Sequence, residues 1–99
     1  MKINLDGWTK IGEISVDSGL IWIGDPCYVI HNDKYNKELG NNWIDFCNNF
    51  FDKKKKSSSY VNFEGLGIAI QTPLGDGQYS VYAQYNQQKQ IIATMCILE

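Results

Sequence analysis

One segment of this chain departs from the two-residue rhythm of its neighbours, and it limits the possible folds more than any other feature. Between Asn41 and Asp52 the large side chains Trp43, Phe46, Cys47, Phe50 and Phe51 fall at i, i+3, i+4, i+7 and i+8, which places them on one helical stripe. Asn41 or Asn42 supplies an N-cap. A helix with so many aromatic rings on one side needs an apolar surface to lie on, and the β-rich text around it offers one. The predicted fold class is α+β: mostly antiparallel β sheet, or a partly open barrel, of about five to seven strands with one amphipathic helix packed on it. The stripe reads as core packing and not as a cofactor box.

The remaining text supplies the strands. Ile11 to Gly24 holds two β-rich runs broken by Asp17-Ser18-Gly19, which predicts a hairpin. Leu20 to Ile23 is apolar throughout, as in a strand covered on both faces, and Gly24-Asp25-Pro26 ends it. Val61 to Thr72 reads as a strand in which Gly65 and Gly67 permit a bulge or the close approach of a backbone or ligand. Pro73 to Gly77 is a turn leading into Tyr79–Tyr85, and Asn86 to Lys89 links that run to Gln90–Leu98 as a hairpin. Because both faces of the last run are apolar, it is expected to lie centrally in its sheet. Lys53 to Lys56 and Ser57 to Ser59 read as a solvated helix end whose cations complement the helix dipole.

A length of 99 residues suits one domain spanning 1–99, and a hydrophobic share of 43% with Trp8, Trp22 and Trp43 requires that it fold. The net charge is −2, with Lys as the sole strong base and no Arg, so direct nucleic-acid binding is disfavoured. No run is long enough for a membrane span and Met1–Asp6 lacks a signal-peptide core, so a cytoplasmic protein with no membrane partner is expected. Cys27, Cys47 and Cys96 show no paired spacing and suit reduced thiols.

Complete catalytic sets are missing from the text. Cys27, His31, Cys47 and Cys96 lack the clipped spacing of a zinc site, and Gly65-Leu66-Gly67 lacks the third glycine of a dinucleotide fingerprint, so no metal and no cofactor is expected. Cys27 and His31 would share a face if both lay on one strand, which leaves a small thiol-dependent hydrolase as the enzymatic alternative. Two turns carry more weight. Gly24-Asp25-Pro26-Cys27-Tyr28 and Gly75-Asp76-Gly77-Gln78-Tyr79-Ser80-Val81-Tyr82 each hold an acid and aromatics at a strand end. The candidate ligand-binding residues are therefore Trp22, Asp25, Cys27, Tyr28, Asp76, Gly77, Tyr79 and Tyr82, with rings to stack on a planar ligand and acids to accept from hydroxyls or base N–H groups.

The order Val16-x-Ser18-Gly19, Asp25-Pro26 and Gly75-Asp76-Gly77-x-Tyr79-Ser80-Val81-Tyr82 resembles an uncharacterised bacterial and phage family of domains of unknown function with the pattern V-x-S-G, D-P and G-D-G-x-Y-P-V-Y. Ser80 stands where that family has Pro, which loosens the entry to the strand. The resemblance implies a fold and a bacterial or phage origin, with no reaction attached. On these grounds a small non-enzymatic binding protein is expected, in the host cytoplasm if phage-encoded. Its expected role is anti-defence: it sequesters a nucleotide-derived signal or blocks a host protein, and it assembles as a homo-oligomer because so short a chain has little room to enclose a ligand alone. A protein–protein interaction module using Trp8 and the Lys53–Lys56 loop is the remaining alternative.

Overall fold

The computed structural model describes residues 3–54 and 59–99. In chain order it contains β1 (Thr9–Val16), β2 (Leu20–Gly24), 3-10 turns at Pro26–Tyr28 and Asp33–Tyr35, α1 (Asn36–Leu39), α2 (Trp43–Lys53), β3 (Tyr60–Asn62), β4 (Gly67–Gln71), β5 (Gly77–Tyr85) and β6 (Ile91–Cys96). The chain divides into two compact units, one running from Leu20 to Thr72 and the other drawn from the segments before and after it. Each has an open, antiparallel, three-stranded sheet, ordered β1-β5-β6 in one and β2-β4-β3 in the other. Lys55, Lys56, Ser57 and Ser58, part of the charged stretch after α2, lie outside the described residues.

Several strand partners differ from the sequence expectation. β1 and β2 do not form a hairpin: β1 pairs with β5, with Ile14 opposite Tyr79, and β2 pairs with β4, with Trp22 opposite Ala69. Asp17-Ser18-Gly19 does turn the chain, but a turn signal fixes direction and leaves the partner to long-range packing. β2 is an edge strand and not one covered on both faces, since Ile23 remains 60% exposed. β6 is likewise an edge, with β5 in the centre, because the apolar residues of β6 reflect strand propensity more than burial. Segment 61–72 is two strands. Glu64 and Gly65 take the paired positive φ values of a primed hairpin turn, 57° and 83°, while Asn62 Oδ1 accepts from Gly65 N at 2.9 Å.

Other expectations hold. Asn42 caps α2, its Oδ1 accepting from Asp45 N at 2.9 Å. The β5–β6 hairpin is closed by Asn86, whose Oδ1 accepts from Gln88 N and Gln90 N.

In the Leu20–Thr72 unit α2 lies on its sheet through a core of Leu39, Phe50, Val61, Phe63 and Ala69, with Phe50 and Phe63 fully buried. Each of those two rings contributes roughly 1.5–3 kcal/mol of apolar burial. Trp22 locks this layer. Its indole lies across the facing pair Gly24 and Gly67, so close that a Cβ on Gly67 would stand 2.1 Å from Trp22 Cζ2 and one on Gly24 would stand 2.8 Å from Nε1. The absent side chain of Gly67 therefore admits the Trp22 ring, a specific form of the close approach its position in the sequence suggested. In the other unit Val16, Tyr79 and Ala83 are buried, and Tyr79 donates its hydroxyl to Gly75 O at 2.6 Å.

Gly67→Ala is expected to lower stability by about 1–3 kcal/mol, because the new methyl overpacks the ring seat. In a Trp22→Ala background the same change should cost little, a non-additivity that urea denaturation of the four variants measures. Equal costs in both backgrounds would place the ring elsewhere.

Candidate functional site

The Leu20–Thr72 unit encloses a cleft of about 600 Å³ between β2, the two 3-10 turns and the start of α2. Trp22 and Leu20 come from β2, Tyr28 and Tyr35 from the turns, and Trp43 and Phe46 from α2. The rings form a connected set. Trp43 stacks on Phe46 at 5.5 Å and 16°, and Phe46 stacks on Phe63 at 5.0 Å and 17°. Trp22 meets Phe46 edge-on at 5.7 Å, and Tyr28 meets Tyr35 edge-on at 4.9 Å. Trp43 is 55% exposed even though it begins the helical stripe. The first turn of α2 therefore carries the stripe beyond the core and offers a ring to the cleft.

Local sequence explains the turns. Pro26 opens the first 3-10 turn with its φ already fixed, and Asp25 caps it, Oδ1 accepting from Cys27 N at 3.0 Å. Asn32 repeats the device one turn on: its Oδ1 accepts from Lys34 N at 3.2 Å and its Nδ2 donates back to Cys27 O at 3.0 Å. Gly40 then lets the chain turn tightly against α2. It has φ 94°, and a Cβ there would stand 2.6 Å from Asp45 Cβ.

Of the candidate residues, Trp22 and Tyr28 line this cleft, as does His31, whereas Asp25 and Cys27 sit on the outer turn and are exposed. Cys27 and His31 are not on a strand: Pro26–Tyr28 is a 3-10 turn and His31 has φ 50°, so the shared strand face proposed for a dyad does not form. Pro26 forecloses the strand, because it starts the turn and cannot donate to a ladder. Asp76, Gly77, Tyr79 and Tyr82 line a smaller hollow of about 370 Å³ in the other unit, together with Ser80 and Ile97. The acids Asp25 and Asp76 thus belong to different units. Tyr35, Asn36 and Trp43 were not singled out as ligand residues. Trp43 stands out as part of the stripe, but no local pattern tells that its ring lies outside the core.

Electrostatics separate the two members of the Asp25–Cys27 turn. The backbone N–H of Cys27, and then its thiol, hold the Asp25 carboxyl below its ordinary value. Desolvation in the turn, followed by the hydrogen bond and the charge of Asp25, pushes the Cys27 thiol up. That is the reverse of what an activated nucleophile needs. Among the described residues no group of three or more His, Cys, Asp or Glu is arranged to hold a metal ion. No described helix is long and apolar enough to cross a membrane.

Compared with protein-family models, with curated proteins and with solved structures, the chain matches none.

Iodoacetamide at neutral pH is expected to label Cys27 no faster than free cysteine, because a raised thiol holds less thiolate there. Asp25→Asn should speed the labelling. Rapid labelling of the unaltered protein, mapped by mass spectrometry, would contradict this account of the turn.

Proposed function

We propose that this protein is a small non-enzymatic binder that captures a flat, nucleotide-derived ligand in the aromatic cleft of the Leu20–Thr72 unit. The observation that carries the reading is the exposed Trp43 ring. One of its faces is backed by Phe46 and, through Phe46, by the buried Phe63, while it makes no second ring stack among the described residues. A rigid indole supported from behind presents area at little entropic cost, and stacking a base on such a ring is worth about 1–3 kcal/mol. The volume of the cleft, about 600 Å³, lies in the range that small ligands occupy.

The resemblance to a bacterial and phage family gives this capture its setting, an anti-defence protein that withdraws a nucleotide-derived signal from its host. Assembly of several copies belongs to the same reading. β6 is an edge strand with Ile91 50% and Ile92 64% exposed, which supports self-association or the covering of a host protein. The hydrolase alternative has less behind it, since Cys27 lies outside the cleft lining and its thiol is held protonated.

Trp43→Ala is expected to weaken ligand binding about ten- to a hundredfold, the loss of one stacking partner, while unfolding stability changes by less than about 1 kcal/mol because the ring is largely outside the core. Isothermal titration with a panel of nucleosides and nucleotides, beside urea denaturation, checks both halves. Unchanged affinity in the variant would remove Trp43 from the site.

A further inference from the structure

Resting on that reading of the cleft, we infer that its ligand carries no negative charge where it is held: the site takes a nucleobase or nucleoside and discriminates against the phosphorylated form. Three independent features of the lining converge on this.

Charge is the first. Among the described residues that line the cleft there is no Lys or Arg, and Asp33 contributes a carboxylate. Three of the four described lysines of this unit have other partners, and His31 is a basic side chain that does line the cleft. Lys53 stands over the Phe63 ring, 5.0 Å from its centroid, and donates to Glu38 O; Lys54 stands over Phe50 and Phe51 and donates to Gln71 Oε1. Lys34 holds its ammonium over the Tyr35 ring at 5.6 Å and does not line the cleft. A phosphate adds a charge of about −1.5 to −2 and needs such groups to replace its water.

The second feature is the start of α2, the one place where backbone N–H groups of a helix of full length meet the cleft. A helix N-terminus ordinarily favours an anion. Here the chain has supplied its own. Asp45, in the first turn, accepts from Asn41 N through Oδ2 at 3.2 Å, and Asn42 caps from the other side. Asn42 takes the N–H of Asp45, and a phosphate drawn to the N–H groups that remain at this helix start would meet the like charge of Asp45 in the first turn.

The third is what the lining offers in place of charge. The carboxamides of Asn36 and Asn41 make no hydrogen bond with any described residue, unlike that of Asn32, whose two ends are both used. A free carboxamide presents a donor and an acceptor side by side, the pairing that matches the edge of a base. Aromatic faces together with neutral amides suit an uncharged heterocycle and its sugar hydroxyls.

The test is tryptophan fluorescence titration of the full chain with the four common ribonucleosides and with their 5′-monophosphates, first at low salt and then at high salt. At least one nucleoside is expected to quench. Its monophosphate should bind at least about tenfold more weakly at low salt, with the gap narrowing as salt screens the repulsion. Asp33→Asn should also narrow the gap, by raising the affinity of the monophosphate. A monophosphate that binds as well as its nucleoside, or better, overturns this inference and leaves the cleft as a nucleotide site. Silence of every nucleoside and every monophosphate would instead bring down the reading of the cleft as a base-binding site, and this inference with it.

Discussion

The Leu20–Thr72 unit is organised around one side chain lying flat on two missing ones. Trp22 projects from an edge strand, where a large ring would ordinarily stand in solvent, and instead folds back over the facing pair Gly24 and Gly67. From that seat it touches Phe46 edge-on at 5.7 Å and Phe63 at 5.8 Å, so one residue ties the sheet to the helix. Aromatic pairs of this kind are worth about 0.5–1.5 kcal/mol each beyond the area they bury. Against them stands the Trp22 Nε1–H, which is buried and makes no hydrogen bond among the described residues, an omission that costs on the order of 1–3 kcal/mol. The ring holds its place by contact alone, which makes the seat sensitive to any added atom.

The cleft follows from that arrangement. With Trp22 as the floor, the Phe63–Phe46–Trp43 column rises along the first turn of α2 and leaves its last ring uncovered, while Tyr28 and Tyr35 support each other across the way. The segment between β2 and α2 has few residues in regular structure and is held by side-chain caps: Asp25 on Cys27, Asn32 on Lys34, and Asn42 and Asp45 at the helix start. These short polar side chains satisfy backbone groups locally. The Asp25 carboxylate, which looks like a ligand group in the sequence, is thus already spent on the backbone, and the cleft lining offers aromatic area and neutral amides beside the Asp33 carboxylate.

This division explains what could be read from the sequence. Local rules worked where a local interaction decides: the Asn42 cap, the helix that starts at Trp43, the Asn86 hairpin and the turn at Pro73–Gly77 all follow from residues within a few positions of each other, whereas the expected core stripe ends early, with Trp43 and Phe51 each 55% exposed. They stopped short where the partner is distant. Nothing in Asp17-Ser18-Gly19 specifies that β1 pairs with β5 and β2 with β4, and the apolar run of β6 looks the same at an edge as in a centre. The site was legible in part for the same reason. Trp22 and Tyr28 are marked by type and position and do line the cleft, whereas Asp25 and Cys27, marked by the same turn, do not. Gly67 was recognisable as a point of close approach, but that the approaching group is Trp22 depends on register, which no local pattern records.

The central claim is that the indole of Trp22 rests directly on Gly67. Proton NMR tests it without altering the protein, because an aromatic ring shields protons that lie over its face. With the ring so seated, a Gly67 Hα resonance is displaced well upfield of its ordinary position and shows strong cross-relaxation to the ring protons of Trp22 on Cζ2 and Cη2. Gly67 Hα protons at ordinary shifts with no contact to that ring would contradict it, and the floor of the cleft would have to be drawn again.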